Sequence, residues 1–398
     1  MPPFVRIALT WIVAVFISVT LCAQEPEKKP KLPKPVPLDS GVTLRRDPAS
    51  GEMRMLEKGP QPIDSESAEP AAPRAFRVSA NLVTVNCNVF APDGSSVAGL
   101  TSDDFRVYED DLEQRLAYFS AGTDPASVAL VIDASPSVLP EENAMQIAAR
   151  GLADTLATRD EISIVEFSAH SYVLLPFTRD RALLQTAIAH IDIRSLFGDT
   201  GGSNIYETVY FTAEKLFRGR AGRKAILLLT DGQDSGLGLS LDRPASLVAP
   251  AAGPQKLAFD DVTRALAADG IEVYAVSTQN RPRVMTDAWL SAHADKSFLN
   301  EATRELGIPA YTLFLAELVR RAGGGLYFLR ETQSGRDAFE RIAGNIRTQY
   351  TLGFYQPAAD AVRPGWHSLR VEVADRGSRG PLRVVNRAEY YVPTAKPQ

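Results

Sequence analysis

Between residues 123 and 349 the apolar positions fall into two alternating rhythms. SVALVID (127–133), EISIVEFS (161–168), KAILLLTDG (224–232), IEVYAVST (271–278) and GLYFLRE (325–331) are short, near-continuous apolar runs. That is the pattern of parallel strands covered on both faces. Among them PEENAMQIAARGLADTLA, DRALLQTAIAHI, IYETVYFTAEKLFR, the segment near 256–269 and DAFERIAGNIRTQY carry apolar residues at helical spacing. Pro140 and two glutamates suit the start of the first helix. The alternation predicts an α/β domain over 123–349, doubly wound, with a mainly parallel sheet and helices on both faces. The stretches 233–256 and 279–310 are rich in Gly, Pro and small residues and read as insertions or long loops. GGG at 323–325 reads as a helix-ending turn.

The flanks follow a different period. FRVSANLVTVNCNVFAPDG alternates polar and apolar residues and breaks at Pro92-Asp93-Gly94, and short strand-like runs continue to about 122. From 350 to 398, YTLGFYQP, HSLRVEVA and LRVVNRAEYYVP are again strand-like, with turn signals at Pro364-Gly365 and Gly377–Pro381. Neither piece carries enough apolar surface to stand alone. The expectation is one small sheet or sandwich, made from 77–122 and 350–398, beside the α/β domain.

The N-terminal quarter is patterned otherwise. Arg6, the apolar stretch 7–21 and Cys22-Ala23 before Gln24 read as a signal peptide over 1–23. The run is short for a membrane-spanning helix; an uncleaved inner-membrane anchor is the alternative. Bulky Leu21 argues against lipidation at Cys22. Residues 24–76 hold ten prolines and many charges, beginning EPEKKPKLPKPVP, and predict an extended, mostly disordered tether.

These readings place the chain in the periplasm or outside the cell. Cleavage would leave Cys87 as the single cysteine, so no internal disulfide can form and stability must come from packing. Alternation in NLVTVNCNVF puts Cys87 at a buried strand position. A formal net charge of -5 over 398 residues implies no nucleic-acid or membrane-surface partner. If the signal is cleaved, no membrane insertion follows either.

Candidate chemistry gathers at strand ends. Asp133, Ser135 and Ser137 lie in DASPS, Ser203 in GGSN and Asp231 in LLLTDG. Asp133 and Asp231 both close apolar runs, and ligands of open parallel sheets gather beyond the carboxyl ends of strands. Within DASPS the three residues alternate, so their side chains can share one side of the turn. All five are hard oxygen donors, the type that Mg²⁺ selects in octahedral geometry at about 2.1 Å while keeping several waters.

This set resembles the metal-ion-dependent adhesion site (MIDAS) of von Willebrand factor type A domains. DASPS matches its DxSxS pattern and TDG its distal aspartate; GGSN stands where the family has Gly-Gly-Thr. Ser203 keeps the hydroxyl and loses the methyl that stiffens the rotamer. VTVNCNVFAPDGSSVAGLTSDDFRVYEDDLEQ, IRTQYTLGFYQP and RAEYYVP are similar to the flanks of bacterial VWFA-related domain proteins of the acidobacterial type. The resemblance spans most of 77–395. It implies that Asp133, Ser135, Ser137, Ser203 and Asp231 hold Mg²⁺ (or Mn²⁺ or Ca²⁺), directly or through water. It further implies an open position on that ion for a carboxylate from a protein partner.

Four other readings stand beside it. DASPS alone suits a solvated turn whose Asp caps the next helix, and a folded site can be vestigial. The site can serve only to stabilise an envelope-assembly module. For an enzyme, paired aspartates could exchange protons and serines could act as nucleophiles. However, the four histidines (170, 190, 293, 367) are scattered, and no HExxH, G-x-S-x-G or GxxxxGK[ST] motif is present. The reading is therefore a binder and not an enzyme, with no catalytic residue assigned and its oligomeric state open.

Overall fold

Runs of Val, Leu and Ile make the central strands, and the structure covers them on both faces. The computed structural model describes residues 30–57, 82–122, 124–189, 191, 202–242, 247, 253–293, 296–329, 336–356, 363–374 and 381–394. The expected signal peptide over 1–23, residues 24–29 and 58–76 of the expected linker, and residues 77–81 lie outside them. Among the described residues no helix is long and apolar enough to cross a membrane.

The chain opens with β1 (Val36–Pro37), β2 (Val42–Arg46) and β3 (Met53–Glu57), then β4 (Leu82–Phe90), β5 (Phe105–Glu109), β6 (Leu112–Gln114) and β7 (Leu116–Ala121). The α/β body follows with β8 (Ala126–Asp133), α1 (Glu142–Thr155), β9 (Glu161–Phe167), β10 (Ser171–Thr178) and α2 (Arg181–Ala189). Next come α3 (Ile205–Phe211), continued by a π turn over Thr212–Leu216, β11 (Arg223–Thr230), α4 (Phe259–Asp269) and β12 (Ile271–Ser277). It continues through α5 (Asp287–Ala292), α6 (Glu301–Arg304), α7 (Ala310–Ala322), β13 (Gly324–Phe328) and α8 (Arg336–Thr348). The chain closes with β14 (Tyr350–Tyr355), β15 (Gly365–Val373), β16 (Arg383–Asn386) and β17 (Glu389–Val392).

The main sheet has seven strands in the order β1-β10-β9-β8-β11-β12-β13. Strands β9, β8, β11, β12 and β13 run parallel, while β10 and β1 are antiparallel additions at one edge. Successive residues of a strand point to opposite faces. Ala129, Val131, Ile226, Leu228, Val273 and Ala275 face α3, α4 and α7. Val128, Leu130, Ile132, Leu227, Leu229 and Val276 face α1, α2 and α8. The fold is thus α/β, doubly wound and mainly parallel, with additional antiparallel sheets.

Two further four-stranded sheets, β16-β4-β14-β7 and β17-β15-β5-β6, share one apolar core of Val85, Cys87, Phe105, Val107, Leu352, Phe354 and Val371. Cys87 is fully buried there. Only Gln349 separates α8 from β14, and its side-chain amide donates to Glu272 on β12 at 2.7 Å. Arg387 adds donations to the carbonyls of Ala267 and Thr84, so the body and the β unit are bonded directly.

The structure corrects the expected tether over 30–57. β1 extends the main sheet, Leu38 is wholly buried in the body's core, and Lys215 donates to the Leu38 carbonyl. Arg46 reaches both oxygens of Asp261 at 2.7 Å. A proline-rich, charged segment can order itself when a few residues make long-range contacts, and composition does not register those contacts. Residues 279–310, expected as an insertion or long loop, carry α5 and α6 around a small cluster of Met285, Phe298 and Ile308.

Candidate metal centre

Sheet order brings the sequence-predicted residues to one place. After β8 the chain steps to β9 on one side and later to β11 on the other, which makes the β8–β11 seam a topological switch point. Leu229 pairs with Ile132 in register, so Thr230 and Asp133 stand beside each other one step further on. Asp133 and Asp231 then sit at the carboxyl ends of neighbouring parallel strands.

Asp133 is the hub. Its Oδ1 accepts from the Ser135 amide at 2.9 Å, and its Oδ2 accepts from the Thr230 hydroxyl at 2.6 Å. The Ser203 hydroxyl, 70 positions away, donates to the same Oδ2 at 3.3 Å. Ser135 Oγ lies 3.0 Å from Ser137 Oγ. Asp231 accepts from the Gln233 amide and side chain, each at 2.9 Å. Asp133, Ser135, Ser203 and Asp231 are buried, whereas Ser137 is exposed. The cluster therefore opens to solvent on the Ser137 side.

Its electrostatics suit a cation. Burial pushes the Asp133 carboxyl up to about 6, against the hydrogen bonds from Ser135 and Thr230, and the nearby Asp231 carboxylate raises it further. Two carboxylates in a desolvated pocket with hydroxyl neighbours form an all-oxygen donor set with negative charge to spare. The residues present fit a hard divalent ion.

Three residues that the sequence pattern does not single out shape this cluster. The Thr230 hydroxyl bonds Asp133 and also accepts from the Gly232 amide at 3.0 Å. Asp234 accepts from the Leu237 amide at 2.8 Å and the Tyr206 amide at 3.5 Å, joining its loop to the start of α3. Ser235 bonds the backbone of Ser203. The signal available was the polar run QDS directly after TDG. The histidines lie elsewhere: His170 bonds Asp39, His293 the Trp289 carbonyl and His367 Asp110, while His190 is outside the described residues.

Residues 128–233 match the family model described as von Willebrand factor type A domain. That span holds all five predicted site residues. A search of curated proteins returned no match. Among solved structures the chain is similar to a von Willebrand factor type A protein from Catenulispora acidiphila, with 11% identity, 73% of this chain and 75% of that chain covered, and a TM-score of 0.38. It is similar to an aerotolerance-related membrane protein from Bacteroides fragilis, with 15% identity, 56% and 98% covered, and a TM-score of 0.36. A third similarity is to proximal thread matrix protein 1 from the mussel byssus with a zinc-occupied MIDAS motif, with 15% identity, 61% and 49% covered, and a TM-score of 0.34. By the family match, residues 128–233, from β8 to the turn after β11, are a von Willebrand factor type A domain.

Proposed function

We propose that this chain is an exported binding module that engages a protein partner through a divalent cation. Asp133, Ser135, Ser137, Ser203 and Asp231 would hold the ion, with Mg²⁺ as the first candidate and Mn²⁺ or Ca²⁺ as substitutes. The ion, when bound, supplies a positive centre with a position open to a partner's carboxylate. One observation carries the reading: Asp133, bonded across to Ser203 and Thr230 in two distant segments, forms a buried oxygen cluster that opens to solvent at Ser137. This reading assigns no catalytic residue. Export rests on the reading of residues 1–23, which leaves the periplasm or the cell exterior as the place of action.

The test is capture of partners from an envelope extract on immobilised chain, with Mg²⁺ in one arm and EDTA in the other. Proteins retained only with Mg²⁺, and lost on Asp133→Ala, support the reading. Retention that ignores both EDTA and the substitution contradicts it.

A second reading, a site that only stabilises the fold, is favoured by the complete burial of Asp133. Calorimetry separates the two: a Mg²⁺-dependent gain in melting temperature without any Mg²⁺-dependent partner supports this alternative.

A further inference from the structure

We propose that Ser235 is a positioning residue for the cation site, clasping the Ser203 loop to the loop that carries Asp231. The proposal rests on the metal reading above.

Three bonds join the two residues. The Ser203 amide donates to Ser235 Oγ at 2.8 Å, Ser235 Oγ donates to the Ser203 carbonyl at 3.1 Å, and the Ser235 amide donates to that carbonyl at 2.7 Å. The Ser235 hydroxyl therefore completes a reciprocal pair that backbone alone cannot make. Its neighbour Asp234 adds the contact to the Tyr206 amide at the start of α3.

Glycines make the crossing possible. Gly202 has φ +118°, and a Cβ there would lie 2.3 Å from Ser235 Oγ. A Cβ on Gly236 would lie 2.8 Å from Asn204 Oδ1. The hydroxyl of Ser235 thus fills the space that the missing Gly202 side chain leaves. On its other side the Ser203 turn is held by the Asn204 amide, bonded to the Ser168 carbonyl at 2.9 Å, and by the Asn204 side chain, bonded to the Ala169 carbonyl at 2.6 Å.

The consequence is specific to this chain. Ser203 lacks the methyl that would stiffen a threonine rotamer, so the placement of its hydroxyl against Asp133 depends on how firmly its backbone is fixed. Ser235 supplies that fixing from the loop four residues beyond Asp231. The two ligand-bearing loops then move as one piece. Groups that orient ligands typically change metal affinity by about 10–100-fold when removed.

Ser235 is itself exposed, so Ser235→Ala removes no side chain from the apolar core. The experiment titrates Mn²⁺ into wild type, Ser235→Ala and Ser235→Thr by calorimetry, with metal-free melting and amide exchange at Ser203 followed in parallel. The proposal expects Ser235→Ala to weaken Mn²⁺ binding roughly tenfold, to speed Ser203 exchange and to lower metal-free melting by far less than that affinity loss. Ser235→Thr, which keeps the hydroxyl, restores affinity. Equal Mn²⁺ affinity in wild type and Ser235→Ala overturns it, as does unchanged Ser203 exchange. A fall in metal-free melting that accounts for the whole affinity loss also overturns it. If wild type binds no Mn²⁺, the site reading fails and this proposal fails with it; that outcome differs because all three proteins are then silent.

Discussion

The Thr230 hydroxyl donates to Asp133 Oδ2 at 2.6 Å across 97 positions of sequence, while the same oxygen of Thr230 accepts from the Gly232 amide. One buried hydroxyl thereby orients the hub carboxylate and shapes the turn that carries Asp231. Thr230→Val keeps the volume and removes both bonds, leaving the Gly232 amide without this acceptor. The expected cost is about 1–3 kcal/mol, read as a lower urea midpoint of the metal-free protein. An unchanged midpoint would show that this bond is not what orders the turn.

The raised Asp133 carboxyl sets a pH dependence. Its folded value of about 6 lies above the ordinary 3.8, so between these values the folded state binds more protons than the unfolded. Metal-free stability contributed by this group is therefore highest below about pH 4 and is lost as pH rises through about 6, by roughly 3 kcal/mol in all. Thermal melts from pH 4 to 7 check the sign. Asp133→Asn should flatten this segment of the profile and raise the metal-free melting temperature at pH 7, while abolishing any response to Mg²⁺. A variant that melts lower at pH 7 and still responds to Mg²⁺ would contradict the assignment.

The strap over 30–57 depends on a buried ion pair. Arg46 and Asp261 are nearly inaccessible and bonded through both oxygens. Arg46→Met leaves the Asp261 charge buried without its partner, and costs about 3–5 kcal/mol. The double variant Arg46→Met/Asp261→Leu should recover part of the loss, because the uncompensated charge is gone. Asp261 also accepts from the Ala258 amide, so recovery stays incomplete. Denaturant midpoints of the three proteins test this; a single variant as stable as wild type would mean that the strap is not anchored at Arg46.

How far the sequence discloses this structure depends on where each residue's partners lie. β8 and β11 are legible because both strands are buried along their whole length, which favours the apolar runs Val128–Ile132 and Ala225–Leu229 at their centres. β10 is less legible: SYVLLPFT carries Pro176 and runs antiparallel between β9 and the two-residue β1, and its pattern does not single it out as a strand. The strap is illegible for a different reason. Leu38 is one apolar residue among prolines and charges, and the partner of Arg46 lies 215 positions away. At the site, donor types at strand ends single out Asp133, Ser135, Ser137 and Asp231, and the family resemblance adds Ser203 from the turn that enters α3. Thr230 and Ser235 escape notice because their role is set by geometry between loops, which the polar run after TDG marks only by composition.

The central claim is that these five residues hold a divalent cation, and direct titration tests it most simply. Calorimetric titration of Mg²⁺, repeated with Mn²⁺, into wild type should show one site per chain. Asp133→Ala and Asp231→Ala, each confirmed as folded by melting, should show none. Equal binding by wild type and Asp231→Ala, or no binding by folded wild type, would contradict the account.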